Sequence, residues 1–331
     1  MSSFLTGHNH RLQIALNAIT NGESFGGTPG AYSTIRTIKE GFSVEPQRAK
    51  EKSPELNMGI RWLHAGGVYF AWTIKVALSY EHREELLSLL FRAAVTTTGA
   101  AAPYSNTWTF GTLRQFGSII GWYSTDDGET LVSETLGDCW ATGGTLSIPS
   151  KGPLMLELSG IAKSHTLDDG EASLPTITET DHVLASHLTA LTVGGVSGLH
   201  LTEATVKVSL PCSEDDGFDL AVGETDSLSW IGATEAREIT ADLAIRSTLA
   251  AKTLIGTLSG GIGDVVFTFN NGLTSTAERE FKITLADCEG TAAPFSMAVM
   301  GRLLSSLSLQ ATALNGSEAT VVVKNSIKVT P

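Results

Sequence analysis

Apolar and polar side chains alternate from Val68 to Leu78: Val68, Phe70, Trp72, Ile74, Val76 and Leu78 share one side. A period of two over that length predicts a long strand with one buried face. Gly41 to Pro46 predicts a shorter strand, closed by Pro46, and Gln47 to Gly59 a charged loop. After the long strand, Ser79 is placed to cap a helix. In that helix Leu86, Leu87, Leu90 and Phe91 form an apolar stripe, with Glu84, Glu85 and Arg92 on the wet face. Thr107–Phe116, Ser118–Ser124 and Glu129–Glu134 read as strands, the last two joined at Asp126-Asp127-Gly128. Cys139–Ile148 and Leu154–Ala162 make a further hairpin.

The pattern then starts again. Ala204–Leu210 ends at Pro211, as the earlier short strand ends at Pro46. Glu238–Ile245 is a second long strand, and Ser247 follows it as Ser79 follows the first; in a lone chain both long strands read as exposed sheet edges. Leu254, Ile255 and Leu258 repeat the spacing of Leu86, Leu87 and Leu90 and predict a second helix. Val265–Phe269, Glu280–Leu285, Pro294–Met300, Leu303–Ala313 and Thr320–Val329 supply further strands. One mark recurs by residue: Leu136-Gly137-Asp138-Cys139 and Leu285-Ala286-Asp287-Cys288, 149 residues apart, each followed by a Thr. The chain therefore reads as one β-module written twice.

Composition narrows the class. The 331 residues carry a net charge of −13, which repels nucleic acid rather than holding it. Cys139, Cys212 and Cys288 are too few and too scattered for a disulfide framework, and Cys139 and Cys288 read as small core side chains. The first residues lack the layout of a signal peptide, and no apolar run reaches membrane-spanning length. Residues 1–35 are read as an N-terminal arm, 36–165 as a first domain, 166–182 as an acidic linker and 183–331 as a second domain.

Candidate chemistry is thin. His8 and His10 have no Cys or acid at ligand spacing, so no metal is expected. Asp126-Asp127 sits where a turn belongs. Glu214 to Asp219 lacks the alternating ligands of a calcium loop. No phosphate-binding or nucleophile-elbow motif occurs. No catalytic residue and no cofactor are expected. The charged loops are more informative. Arg48, Lys50 and Lys52 lie in the first, whereas Glu214, Asp215, Asp216 and Asp219 lie in its counterpart, which has no Lys or Arg. If the loops alternate around an assembly, opposite charges meet and fix register.

The order of strand, long loop, long strand, short helix "LSYEHREELLSLLF" and meandering strands resembles the major tail tube protein of long-tailed, siphovirus-type bacteriophages. "RLQIALNAITNGESFGGTPG" and "IKEGFSVEPQRAKE" are similar to that family's opening. The likeness is one of layout, and it runs along nearly the whole chain. It implies a mainly β fold of two tandem tail-tube-type β-sandwich or barrel domains, each flanked by one short helix. It also implies a structural virion protein, made in the host bacterial cytoplasm, whose rings stack into a hollow tube for DNA delivery. Three two-domain chains would make a pseudo-hexameric ring, with a true hexamer as the alternative. Tape measure, tail terminator and tail-tip proteins would be partners, and DNA would pass without specific binding. The rivals are a tube subunit of a contractile injection or gene-transfer particle, a β-sandwich carbohydrate-active enzyme, and an adhesive surface module.

Overall fold

A computed structural model of the chain describes residues 5–19, 26–38, 41–50, 65–93, 95–111, 115–125, 131–171, 174–177, 181–213, 218–219, 227–228, 232–233, 237–246, 262–290, 304–312 and 317–329. The fold is mainly β, of sandwich type, with one helix among those residues.

The strands of the first half are β1 (Leu5–Leu16), β2 (Ser33–Arg36), β3 (Phe42–Lys50) and β4 (Ala65–Ala77), then helix α1 (Glu84–Phe91). They continue with β5 (Thr96–Thr98), β6 (Tyr104–Thr109), β7 (Gly117–Thr125), β8 (Leu131–Ile148), β9 (Met155–Ala162) and β10 (Ser164–Glu171). The second half holds β11 (Leu188–Val193), β12 (Leu201–Ser209) and the two-residue strands β13 (Cys212–Ser213), β14 (Phe218–Asp219), β15 (Ser227–Leu228) and β16 (Gly232–Ala233). It ends with β17 (Glu238–Arg246), β18 (Gly263–Asn270), β19 (Glu280–Gly290), β20 (Leu304–Ala311) and β21 (Ala319–Asn325).

The same antiparallel pairing scheme occurs twice. In the first half β3 pairs β4, β4 pairs β9, β9 pairs β8, β8 pairs β7 and β10, and β7 pairs β1. In the second, β12 pairs β17, β17 pairs β20, β20 pairs β19, β19 pairs β18 and β21, and β18 pairs β11. The register matches as well. Trp140 faces Ile161 and Glu289 faces Gln310, both pairs displaced by the spacing of the Leu-x-Asp-Cys mark.

The mark itself has a physical cause. On β8 the register slips between Leu136 and Cys139, which face Ile119 and Gly117; on β19 it slips between Leu285 and Cys288, which face Val265 and Gly263. Inside each bulge the Asp turns left-handed, φ 50° at Asp138 and 47° at Asp287. Asp tolerates that region better than most residues with a Cβ, and a bulge needs one residue to break the pleat. Leu136, Cys139, Leu285 and Cys288 are all buried. Burial pushes both thiols up, Cys288 to about 12, so they serve as small apolar core groups. Sequence repetition here records a repeated bend where one strand passes between two sheets.

Several expectations need correction. The long strands do not form edges. β4 lies between β3 and β9, and β17 between β12 and β20. Leu5–Leu16 of the expected arm is a paired strand, and Leu12 and Ile14 are buried in the chain's own core. Part of the expected linker, Ser164–Glu171, pairs with β8. Pro46 does not end its strand: it faces Phe70, and β3 runs on to Lys50. Ser79 does not cap the helix; its hydroxyl donates to the Glu81 carbonyl, and the N-cap is Arg83. The face of α1 expected to be wet is largely covered: Glu84 and Arg92 are buried along with the leucines, and Glu85 is half-buried and accepts a bond from the Ser33 hydroxyl at 2.6 Å. The expected second helix, the Asp126–Gly128 turn and the Pro294–Met300 strand lie outside the described residues.

The buried face of α1 joins the two halves. The Asn325 amide donates to Glu84 Oε1 at 3.0 Å and to the Tyr80 carbonyl at 2.8 Å, and Asn106 donates to Asn325 Oδ1 at 3.0 Å. Beside them Glu81 binds Arg279 at 2.9 Å. Burial raises the Glu84 carboxyl above its ordinary value, against the pull of Asn325 and Arg83. A carboxyl raised in the fold costs stability while ionised, and that cost fades as pH falls through its folded value. Glu84→Gln keeps the carbonyl acceptor and removes the charge. The variant should melt higher than wild type at pH 8, with the gap closing in acid. Equal melting temperatures at every pH would refute the argument.

Candidate assembly interface

The two halves share one continuous sheet. β12 lies against β8 in antiparallel register, with Ala204 facing Ile148, Val206 facing Leu146 and Val208 facing Gly144. This sheet runs β3-β4-β9-β8-β12-β17-β20. A second junction pairs β21 with β6. The β8–β12 seam needs glycine on the β8 side. A Cβ at Gly143 would come within 2.9 Å of the Val208 carbonyl oxygen, and one at Gly144 within 2.9 Å of Leu90.

Arg92 fastens the seam. It ends α1 in the left-handed region, stacks its guanidinium 4.1 Å over the Trp140 ring, and donates from Nη2 to the carbonyls of Ala141 (3.1 Å) and Leu210 (3.4 Å). Those carbonyls belong to opposite sides of the seam. Burial lowers its pKa to about 10, still well above neutrality, so it remains a cation.

The faces of this sheet differ. One carries Trp72, Ile74, Leu156, Leu158, Leu146, Val206, Ile239, Ala241, Leu243 and Leu309 into the core. The other is polar: Ser43, Thr73, Ser159, Thr145, Ser209, Thr240 and Ser308, with Glu45, Glu203, Glu238 and Asp242 among Lys75, Lys207 and Arg246. Lys75 is matched by Glu157 at 3.2 Å.

At the ends of this sheet, among the described residues, β3 pairs with β4 alone, and β19 at Glu289 and Gly290 pairs with β20 alone. The bond from Lys75 N to the Gly41 carbonyl at 2.6 Å fixes the alternation along β3. Odd positions bond β4, so the main-chain groups of Phe42 and Val44 face the open side. Pro46 stands there too and offers no N–H, as an edge strand allows.

The charged candidates fall near this edge. Arg48 and Lys50 lie on β3, opposite Val68 and Ala65. Asp219 lies on β14, opposite Ser227, and Ser227 pairs with Val68. Arg48, Val68, Ser227 and Asp219 thus follow one another along one cross-strand row, which puts Arg48 and Asp219 roughly 14 Å apart at the backbone. Lys52, Glu214, Asp215 and Asp216 lie outside the described residues. Sequence reasoning missed Arg92, whose partners are distant in the chain. It also missed the pairing of His165 with Glu134 at 2.7 Å, where Tyr123 donates to the same carboxylate. No stretch of sequence signals either.

Two like pairing sets joined by an internal seam define a mainly β, sandwich-type protein. The comparison with family models agrees: the model described as phage tail tube protein matches residues 24–211, more than half of the chain. The chain belongs to the phage tail tube protein family and is a structural component of the phage tail. The matched span begins before β2 and closes just past β12, so it includes the seam. Among curated proteins, none matches the chain.

Proposed function

We propose that the chain polymerises into rings that stack as the hollow tail tube of a long-tailed phage, with DNA travelling along the polar face of the long sheet. The observation that carries this reading is the β8–β12 seam. It joins β8 of one pairing set to β12 of the other. A junction between unlike edges can be repeated, and a repeated heterologous junction closes into a ring when its rotation allows. The two pairing sets, β1 to β10 and β11 to β21, are two tube modules, and three chains then supply the six modules of one ring. Tape measure, terminator and tail-tip proteins are its natural neighbours in a tail, and subunits are made in the host cytoplasm.

Negative-stain microscopy of the purified protein tests the reading. Rings or hollow filaments are expected, and a protein that stays strictly monomeric with hydrolase activity would overturn it. Ring stacking is assigned to the charged candidates, Arg48, Lys50 and Lys52 against Glu214, Asp215, Asp216 and Asp219. Lys50→Glu with Lys52→Glu should cut tube yield at least tenfold at low salt and leave the folded subunit intact. Tubes of normal length and yield from that variant would remove the assignment.

A further inference from the structure

The two pairing sets share a surface that is covered in the second half and partly bare in the first, and the inference drawn from it rests on the ring assembly proposed above. In the second half, Leu87 and Leu90 of α1 line an apolar cavity together with Ile239, Phe281, Ile283 and Val321. A helix of the first half therefore closes the core of the second. Pairing partners give the counterparts. Val321 faces Ile283 as Leu167 faces Glu134, and Phe269 faces Phe281 as Tyr123 faces Val132. Ile239 lies between Val208 and Ala311 as Phe70 lies between Pro46 and Ala162. Ile239, Phe281 and Val321 are buried, whereas Phe70 and Val132 are only half-buried and Leu167 is 66% exposed.

The middle of the bare surface is polar where its counterpart is apolar. Tyr123, Glu134 and His165 take the places of Phe269, Ile283 and Ala319. The Tyr123 hydroxyl donates to one oxygen of Glu134 at 2.8 Å, and the His165 ring meets the other at 2.7 Å while lying 5.0 Å from the Phe70 ring. Such a centre tolerates water in a lone chain, and an apolar partner laid over it leaves the Glu134 carboxylate paired. Phe70, Val132 and Leu167 form the apolar rim for that partner. We infer that this face of the first half is a docking surface for the second half of another copy of this chain. In the half where the surface is covered, the adjoining half covers it; around a ring, the other neighbour of the first half is the second half of another copy. The contact packs side chains on a sheet face and uses no strand edge. Within a chain its centre is apolar, whereas between copies it keeps a hydrogen-bonded centre.

Leu167→Asp puts a charge on the rim, whereas Leu167→Met keeps it apolar. Leu167→Met is expected to assemble as the wild type does. Leu167→Asp should melt close to the wild-type temperature, because the side chain is exposed, yet form rings at least tenfold less. Cysteine labelling gives a second reading that needs no disruptive variant. In a Cys212→Ser background, with Cys139 and Cys288 buried, Leu167→Cys should react with a maleimide in the single chain and at least tenfold more slowly in assembled rings. Normal ring yield from Leu167→Asp, or equal labelling of Leu167→Cys in chains and rings, would overturn the docking surface while leaving tube formation intact. A wild-type chain that never assembles would remove the underlying reading as well.

Discussion

Replacing Gly160 by Ala should leave little soluble folded protein. A Cβ at that position would sit 2.1 Å from the Trp140 carbonyl oxygen and 2.3 Å from the Trp72 ring. The oxygen belongs to the neighbouring strand, and the ring is almost fully buried, so neither yields cheaply. Overpacking of this kind costs about 3 kcal/mol, a large part of the stability of an ordinary domain. The second half fills the equivalent space the other way round. There Leu309 stands for Gly160 and Ala241 for Trp72, so a large residue and a small one have exchanged strands. Trp72→Ala relieves the contact with the ring but not the one with the Trp140 oxygen, so adding it to Gly160→Ala should recover only part of the lost soluble protein. A Gly160→Ala variant that melts like the wild type would contradict the packing argument.

Arg92→Leu is expected to loosen the seam before anything else. The substitution removes a stacked cation and two charge-assisted bonds, and leaves two carbonyls facing an apolar side chain. The loss should be roughly 2–4 kcal/mol. A branched apolar residue in the left-handed region adds to it. Hydrogen exchange separates this from a general loss of stability. Amides of Val206 and Val208, which face β8, should exchange faster by more than those of Ile239 and Leu243 on β17. Uniform acceleration across all four would show that Arg92 supports the core at large and not the seam.

The sequence made the local plan readable and hid the long-range one. Strict alternation at Trp72, Ile74 and Val76 announced a half-buried strand, and the structure buries those side chains. The Leu-x-Asp-Cys mark pointed to duplication because a left-handed bulge tolerates few residues at its centre, so the requirement is written in residue types. Alternation cannot say which strand lies beside which. β4 and β17 therefore looked like edges, although each has a neighbour on both sides. Glu84 looked like a surface residue because its partner Asn325 is 241 residues away. The expected arm was polar enough to pass for a tether, yet Leu12 and Ile14 alternate as β1 requires. For the interface, the charges of Arg48 and Lys50 were visible, but not their place beside an open edge, which only pairing partners reveal.

A cryo-EM reconstruction of particles assembled from the purified chain tests the central claim most directly. The account requires three chains per ring, six similar lobes and a continuous inner sheet. A ring of six whole chains, or one whose sheets stop at every chain boundary, would contradict it.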